Sequence, residues 1–195
     1  MSLTAFLRRV VEVLDQAGVS YMLTGSLAAA YYAVPRATQD IDVVIETEGP
    51  GLDRLVQGLL SAGWYVDRDA ALEAWRARGQ FNAIEPESGW KADFIVRKER
   101  SYSQEEFGRR ERISLLGVEL AVASLEDVVI SKLEWSSIGD SALQRRDVVQ
   151  LLERTWPRLD RAYLDEWIAR LGLDSEWQAA QAQARHSPTR DETEK

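Results

Sequence analysis

A chain of 195 residues with 45% apolar content can bury one good core, or one domain with a small appendage. It has no cysteine and a single histidine, His186 in a polar stretch, which excludes disulfides, thiol catalysis, Cys-ligated zinc and Ser-His-Asp hydrolysis. The net charge of −8 opposes nucleic-acid binding through a broad positive field, and no run of about 18 apolar residues is present to span a membrane.

The first residues, Met1 to Arg9, lack the basic-then-apolar order of a secretion signal, so a cytoplasmic location is the expectation. Leu3, Phe6, Leu7, Val10, Val11 and Leu14 give a helical stripe over residues 3–17, stopped by Gly18. Tyr21 to Thr24 reads as a short strand, followed by a Gly25-Ser26 turn into an Ala-rich helix. Such a helix N-terminus offers unpaired N–H groups and a dipole to an anion. Gly25 lets the backbone approach closely; Ser26 either donates to a phosphate oxygen or caps the helix.

Asp40-Ile41-Asp42-Val43-Val44-Ile45 reads as a strand. Side chains alternate, so Asp40 and Asp42 share one face while Ile41 and Val43 enter a core. Two carboxylates on one face repel unless partnered. A hard divalent cation is the usual partner; a solvated strand edge is the plain alternative. A helix over Leu52 to Leu60 follows, stopped by Gly63, then a strand over 64–66, a short helix over 69–78 and a strand over 81–84. Glu85 to Gly89 forms a turn into a strand, Trp90 to Val96, with Asp93 beside Lys91 and Ile95 on the face opposite Phe94 and Val96. An aspartate inside an apolar strand is costly without a partner, which is a metal or a nearby Arg.

Residues 97–112 hold six basic and four acidic side chains, a strip that either seats a polyanion or forms a solvated helix face. Ile113 to Leu116 and Val118 to Val122, joined around Gly117, predict a hairpin or extended segment. From Ser124 the pattern is helical, with a break at Gly139-Asp140, a helix carrying Asp147, punctuation at Pro157, and helices near 160–171 and 174–184. Trp64, Trp75, Trp90 and Trp135 lie on apolar or amphipathic segments and are expected in the core. The expected division is a core over 1–123, a helical region over 124–185 packed on it, and a flexible tail over 186–195.

Gly-Ser before a helix, Asp-x-Asp on the next strand and a later strand Asp together resemble the nucleotidyltransferase superfamily typified by DNA polymerase β. The spacing of Leu23-Thr24-Gly25-Ser26 and Arg36-Ala37-Thr38-Gln39-Asp40-Ile41-Asp42 looks most like the small bacterial branch of AbiEii-type toxins, related to aminoglycoside and lincosamide nucleotidyltransferases. The resemblance covers residues 21–96 and extends more loosely to about residue 152. It implies an α+β nucleotidyltransferase fold, a short mixed sheet flanked by helices, with a C-terminal helical region.

It also implies chemistry. Asp40 and Asp42 would hold two Mg2+ ions, and Asp93 would complete the site nearest the attacking hydroxyl, lowering its pKa or accepting its proton. Gly25 and Ser26 would bind the β- and γ-phosphates. Arg36 and Thr38 match the family's approach to the metal strand; Arg36 reaches a phosphate or is a loop charge. Ser131-Lys132-Leu133 and Arg145-Arg146-Asp147 resemble later family signatures. There Lys132 would contact the triphosphate and Asp147 would orient it, or the two form a helix–helix salt bridge.

The implied activity moves a nucleoside monophosphate from an NTP to a hydroxyl, either a tRNA 3′ end, as in a toxin with a cognate antitoxin, or a small molecule. The non-enzymatic alternative is a nucleotide-binding member of the fold without turnover.

Overall fold

The computed structural model describes residues 2–33, 38, 40–139 and 141–186. They fall into two compact units. One holds the described residues through Tyr31 and from Thr38 to Ser124; the other holds Tyr32, Ala33 and those from Leu125 onward.

The first unit opens with α1 (Leu3–Ala17). The Ser2 hydroxyl accepts from the Ala5 N–H at 3.2 Å, and Gly18 closes the helix in a left-handed conformation at φ 66°. Its stripe of Phe6, Leu7, Val10, Val11 and Leu14 is buried. There follow β1 (Ser20–Thr24), α2 (Gly25–Tyr32), β2 (Asp40–Glu46), α3 (Gly49–Ser61), β3 (Tyr65–Val66) and α4 (Arg68–Ala77). The unit continues with β4 (Gln80–Ile84), β5 (Lys91–Val96), α5 (Ser101–Gly108), β6 (Glu111–Leu115) and β7 (Val118–Val122).

The seven strands form one mixed sheet in the order β3-β4-β5-β2-β1-β7-β6. β2 runs parallel to β5 and antiparallel to β1, and β1 runs parallel to β7. The alternation expected of β2 and β5 is present: Ile41, Val43, Ile45, Ala92, Phe94 and Val96 are buried, while Asp40, Asp42, Lys91, Asp93 and Ile95 are half-buried on the other face. Each large apolar side chain removed from water on the core face contributes about 1.5–3 kcal/mol. That gain fixes the strand faces, because a one-residue slip would turn the aspartates inward. The α+β expectation holds, with helices α1, α3 and α4 packed against the sheet and one another.

The segment 97–112 is not one helix face. It comprises a loop, the short helix α5, which the weakly periodic sequence did not reveal, and the start of β6. Two of its cations are engaged, Arg97 with Glu46 and Arg110 over the Phe107 ring at 4.3 Å, and its Glu99 pairs with Arg78.

The second unit contains α6 (Leu125–Gly139), α7 (Ala142–Thr155), a 3-10 turn at Trp156–Arg158, α8 (Arg161–Leu171) and α9 (Asp174–His186). Charged groups are buried within it. Asp127 accepts from the Tyr163 hydroxyl at 2.7 Å, and a Glu126 carboxylate oxygen accepts from the Asp160 N–H at 2.9 Å. Among the tryptophans expected inside, Trp64 is buried, Trp75 and Trp90 are half-buried, but Trp135 is 48% exposed. It stands two positions past Leu133, and 200° of helical rotation turns it away from the side on which Leu133 is buried. The tail expected over 186–195 lies, beyond the end of α9, outside the described residues.

Candidate active site

Strand register assembles the polar face. Asp42 is the direct partner of Asp93 across the parallel β2–β5 pair, of Thr24 across β1, and Asp93 in turn faces Asn82 across β4. Directly paired residues project to the same side. Asn82, Asp93, Asp42 and Thr24 therefore form one polar row over four adjacent strands. Asp40 and its partner Lys91 sit two residues back along the same face. Strand spacing of about 4.8 Å sets Asp42 and Asp93 side by side on that face.

Gly25 meets this row at close range. It takes φ +65°, and a Cβ added there would stand 2.0 Å from Asp42 Oδ2 and 2.6 Å from its Cγ. Only glycine satisfies both the left-handed backbone and the contact. Ser26 lies in the first turn of α2, half-buried. Thr38 is tied to the strand that follows: its hydroxyl donates to the Asp40 carbonyl at 3.0 Å and accepts from the Asp40 N–H at 3.4 Å. Arg36 lies outside the described residues.

Lys91, which strand alternation sets on this face, is the residue whose partners sequence reasoning did not foresee. Its Nζ lies 2.9 Å from Asp93 Oδ2 and 3.7 Å from Asp40 Oδ2. The Asp93 carboxylate holds the ammonium's pKa above its ordinary value, against the desolvation that lowers it, and Asp40 and Asp42 add to the rise. Among the described residues, no three His, Cys, Asp or Glu side chains already close around a common point as a metal cage would; a lysine ammonium lies between two of the carboxylates instead. Thr24 Oγ1 is buried and has no hydrogen-bond partner among the described residues, an uncommon state for a hydroxyl. The hairpin turn closed by the Glu85 N–H on the Trp90 carbonyl at 2.8 Å was readable, and counting back from it would have set Asn82 against Asp93.

In the helical unit Lys132 and Asp147 do meet. Lys132 Nζ donates to Asp147 Oδ2 at 2.7 Å and to Gln144 Oε1 at 3.0 Å, with side chains only 3% and 6% exposed. The helix–helix ion pair foreseen between them is present.

No protein-family model and no curated protein matches the chain. Solved structures do resemble it. The antibiotic-resistance factor ANT(2'')-Ia superposes with a TM-score of 0.58 at 12% identity, over 94% of this chain and 97% of that one. The lincosamide antibiotic adenylyltransferase LnuA, lincomycin-bound, gives 0.54 at 12% identity over 77% and 96%. An antigenic nucleotidyltransferase-like protein from Paracoccidioides brasiliensis gives 0.50 at 16% identity over 90% and 92%. The chain has the nucleotidyltransferase fold.

Proposed function

We propose that this protein transfers a nucleoside monophosphate from a nucleoside triphosphate to a hydroxyl acceptor and releases pyrophosphate. The observation that carries the reading is the row Asn82–Asp93–Asp42–Thr24, with Asp40 alongside and Gly25 packed against Asp42. The donors are carboxylate and hydroxyl oxygens, the set that hard divalent cations take. The Lys91 ammonium between Asp40 and Asp93 and the Thr24 hydroxyl, which has no partner among the described residues, fit a face built for a cation.

In this reading Asp40 and Asp42 would hold two Mg2+ ions, and Asp93 would complete the set. Magnesium, when bound, supplies positive charge against the triphosphate oxygens. Asp93 takes the proton of the acceptor hydroxyl, whose oxygen forms a bond to the α-phosphorus as the bond to the pyrophosphate oxygen breaks. Gly25, Ser26 and the first-turn N–H groups of α2 receive the β- and γ-phosphates. Thr38 holds the start of the strand bearing Asp40. Arg36 supplies a further cation to the nucleotide.

A small cationic hydroxyl compound is the acceptor favoured by the net charge of −8 and by the local engagement of Arg97 and Arg110. ANT(2'')-Ia, seen elsewhere with adenylyl-2''-tobramycin, and LnuA, with lincomycin, are neighbours of that kind. A tRNA 3′ end, with a cognate antitoxin as partner, is the second reading, supported by the spacing from Arg36 to Asp42 and the basic residues of 97–112. The test incubates the protein with magnesium and one labelled NTP at a time, against total tRNA and against a panel of aminoglycosides and lincosamides. Label appearing in one acceptor class selects the reading. Failure of all four NTPs to be consumed with either class refutes the transfer activity.

A further inference from the structure

Lys91 has no part in the chemistry described above, yet it occupies the middle of the residues that carry it. Its ammonium touches two carboxylates from two strands, Asp93 at 2.9 Å and Asp40 at 3.7 Å. An exposed lysine–carboxylate pair is ordinary and worth little. This one is different in placement. Asp93, the nearer partner, is only 17% exposed, and its neighbour in register is Asp42, pinned in turn by Gly25. Carboxylates that share one sheet face repel unless a cation lies among them. An independent mark of a ligand lies in the same row: Thr24, 4% exposed, carries a hydroxyl without a partner among the described residues.

We propose that Lys91 is a tethered counter-cation. Its ammonium neutralises Asp40 and Asp93 in the metal-free protein and competes with divalent cations for the same oxygens. The lysine stem is long and flexible and its charge is compact, so the ammonium can withdraw by side-chain rotation without moving the strand. Metal loading is therefore weak by itself and is favoured when a triphosphate brings negative charge that the displaced ammonium and the ions both meet. The device keeps the carboxylates preorganised, and it makes metal and nucleotide bind together. Lys91 is thus a positioning residue. The inference rests on the nucleotidyl-transfer reading of Asp40, Asp42 and Asp93.

The experiment is a calorimetric Mn2+ titration of the full chain, without nucleotide and with a non-hydrolysable NTP analogue, for wild type, Lys91→Met, Lys91→Gln and Lys91→Arg. The two neutral variants guard against one failing to fold. Without nucleotide, the neutral variants should bind Mn2+ about tenfold tighter than wild type, the order expected from losing two partly exposed ion pairs. Lys91→Arg, which keeps the charge, should stay within about twofold of wild type. In metal-free buffer the neutral variants should melt lower than wild type, with Mn2+ restoring the difference. Wild type binding Mn2+ with the analogue while the neutral variants gain no affinity without it would overturn the tethered-cation role and leave the transfer reading standing. Absence of Mn2+ binding in every protein, with and without the analogue, would overturn both.

Discussion

Gly25→Ala tests the geometry most directly, because two separate costs meet at one atom. The backbone at φ +65° costs an alanine about 1–2 kcal/mol. The new Cβ would also stand 2.0 Å from Asp42 Oδ2, where ordinary contact begins near 3.4 Å. The carboxylate must then retreat by about 1.4 Å, a misplacement of the scale that costs about 100-fold in rate. Relaxing such an overpacked contact adds about 1–3 kcal/mol, for a total of about 2–5 kcal/mol in stability. Urea unfolding followed by circular dichroism reads the first quantity, and transfer of label from an NTP reads the second. In an Asp42→Ala background the Oδ2 and Cγ contacts vanish and only the Cβ contact at 2.8 Å remains, so the stability cost of Gly25→Ala should fall toward its backbone share. An equal cost in both backgrounds would refute the claim that Gly25 is held by Asp42.

Asp42→Asn should lower transfer by orders of magnitude, through loss of one metal-binding charge, while stability in metal-free buffer holds or rises slightly as repulsion with Asp40 and Asp93 is relieved; a wild-type transfer rate would remove Asp42 from the site. Lys132→Met should destabilise the helical unit by about 3–5 kcal/mol, since it strands a buried Asp147 carboxylate, and Lys132→Met with Asp147→Leu should recover much of that loss on urea unfolding. Glu85 accepts from the Ser88 N–H at 2.8 Å and from its hydroxyl, and the hydroxyl bond, the largest cause, holds the carboxyl below its usual 4.5. A depressed folded pKa adds stability above that pH and loses it as pH falls through the folded value. Ser88→Ala should therefore lower stability at neutral pH and shrink the loss just below pH 4.5; an unchanged acid-unfolding curve would contradict the assignment.

Much of this protein was legible in its sequence because the signals are local. The period-2 alternation of Asp40-Ile41-Asp42-Val43 placed both carboxylates on one face, since burying Ile41 and Val43 leaves no other arrangement. Gly25-Ser26 ahead of an Ala-rich run marked the turn into α2, and Gly18 marked the end of α1. From those patterns the strand-borne aspartates followed, and the family resemblance they carry implied the α+β class. Helix α5 escaped because eight residues with little amphipathic contrast carry a weak periodic signal, and the exposure of Trp135 escaped because hydrophobicity alone does not say which side of α6 is covered.

Only the tertiary structure decided what stands beside what. Asp42 and Asp93 are 51 residues apart in the chain, and their pairing depends on a parallel register that no local pattern encodes. The same long-range register brought Thr24 and Asn82 into the row and set the Lys91 ammonium between Asp93 and Asp40. The contact of Gly25 with Asp42 is likewise a consequence of β1 pairing with β2. Alternation determines the face a side chain takes; strand pairing, driven by burial of the whole opposite face, determines its neighbours, and the chemistry of this face belongs to the neighbours.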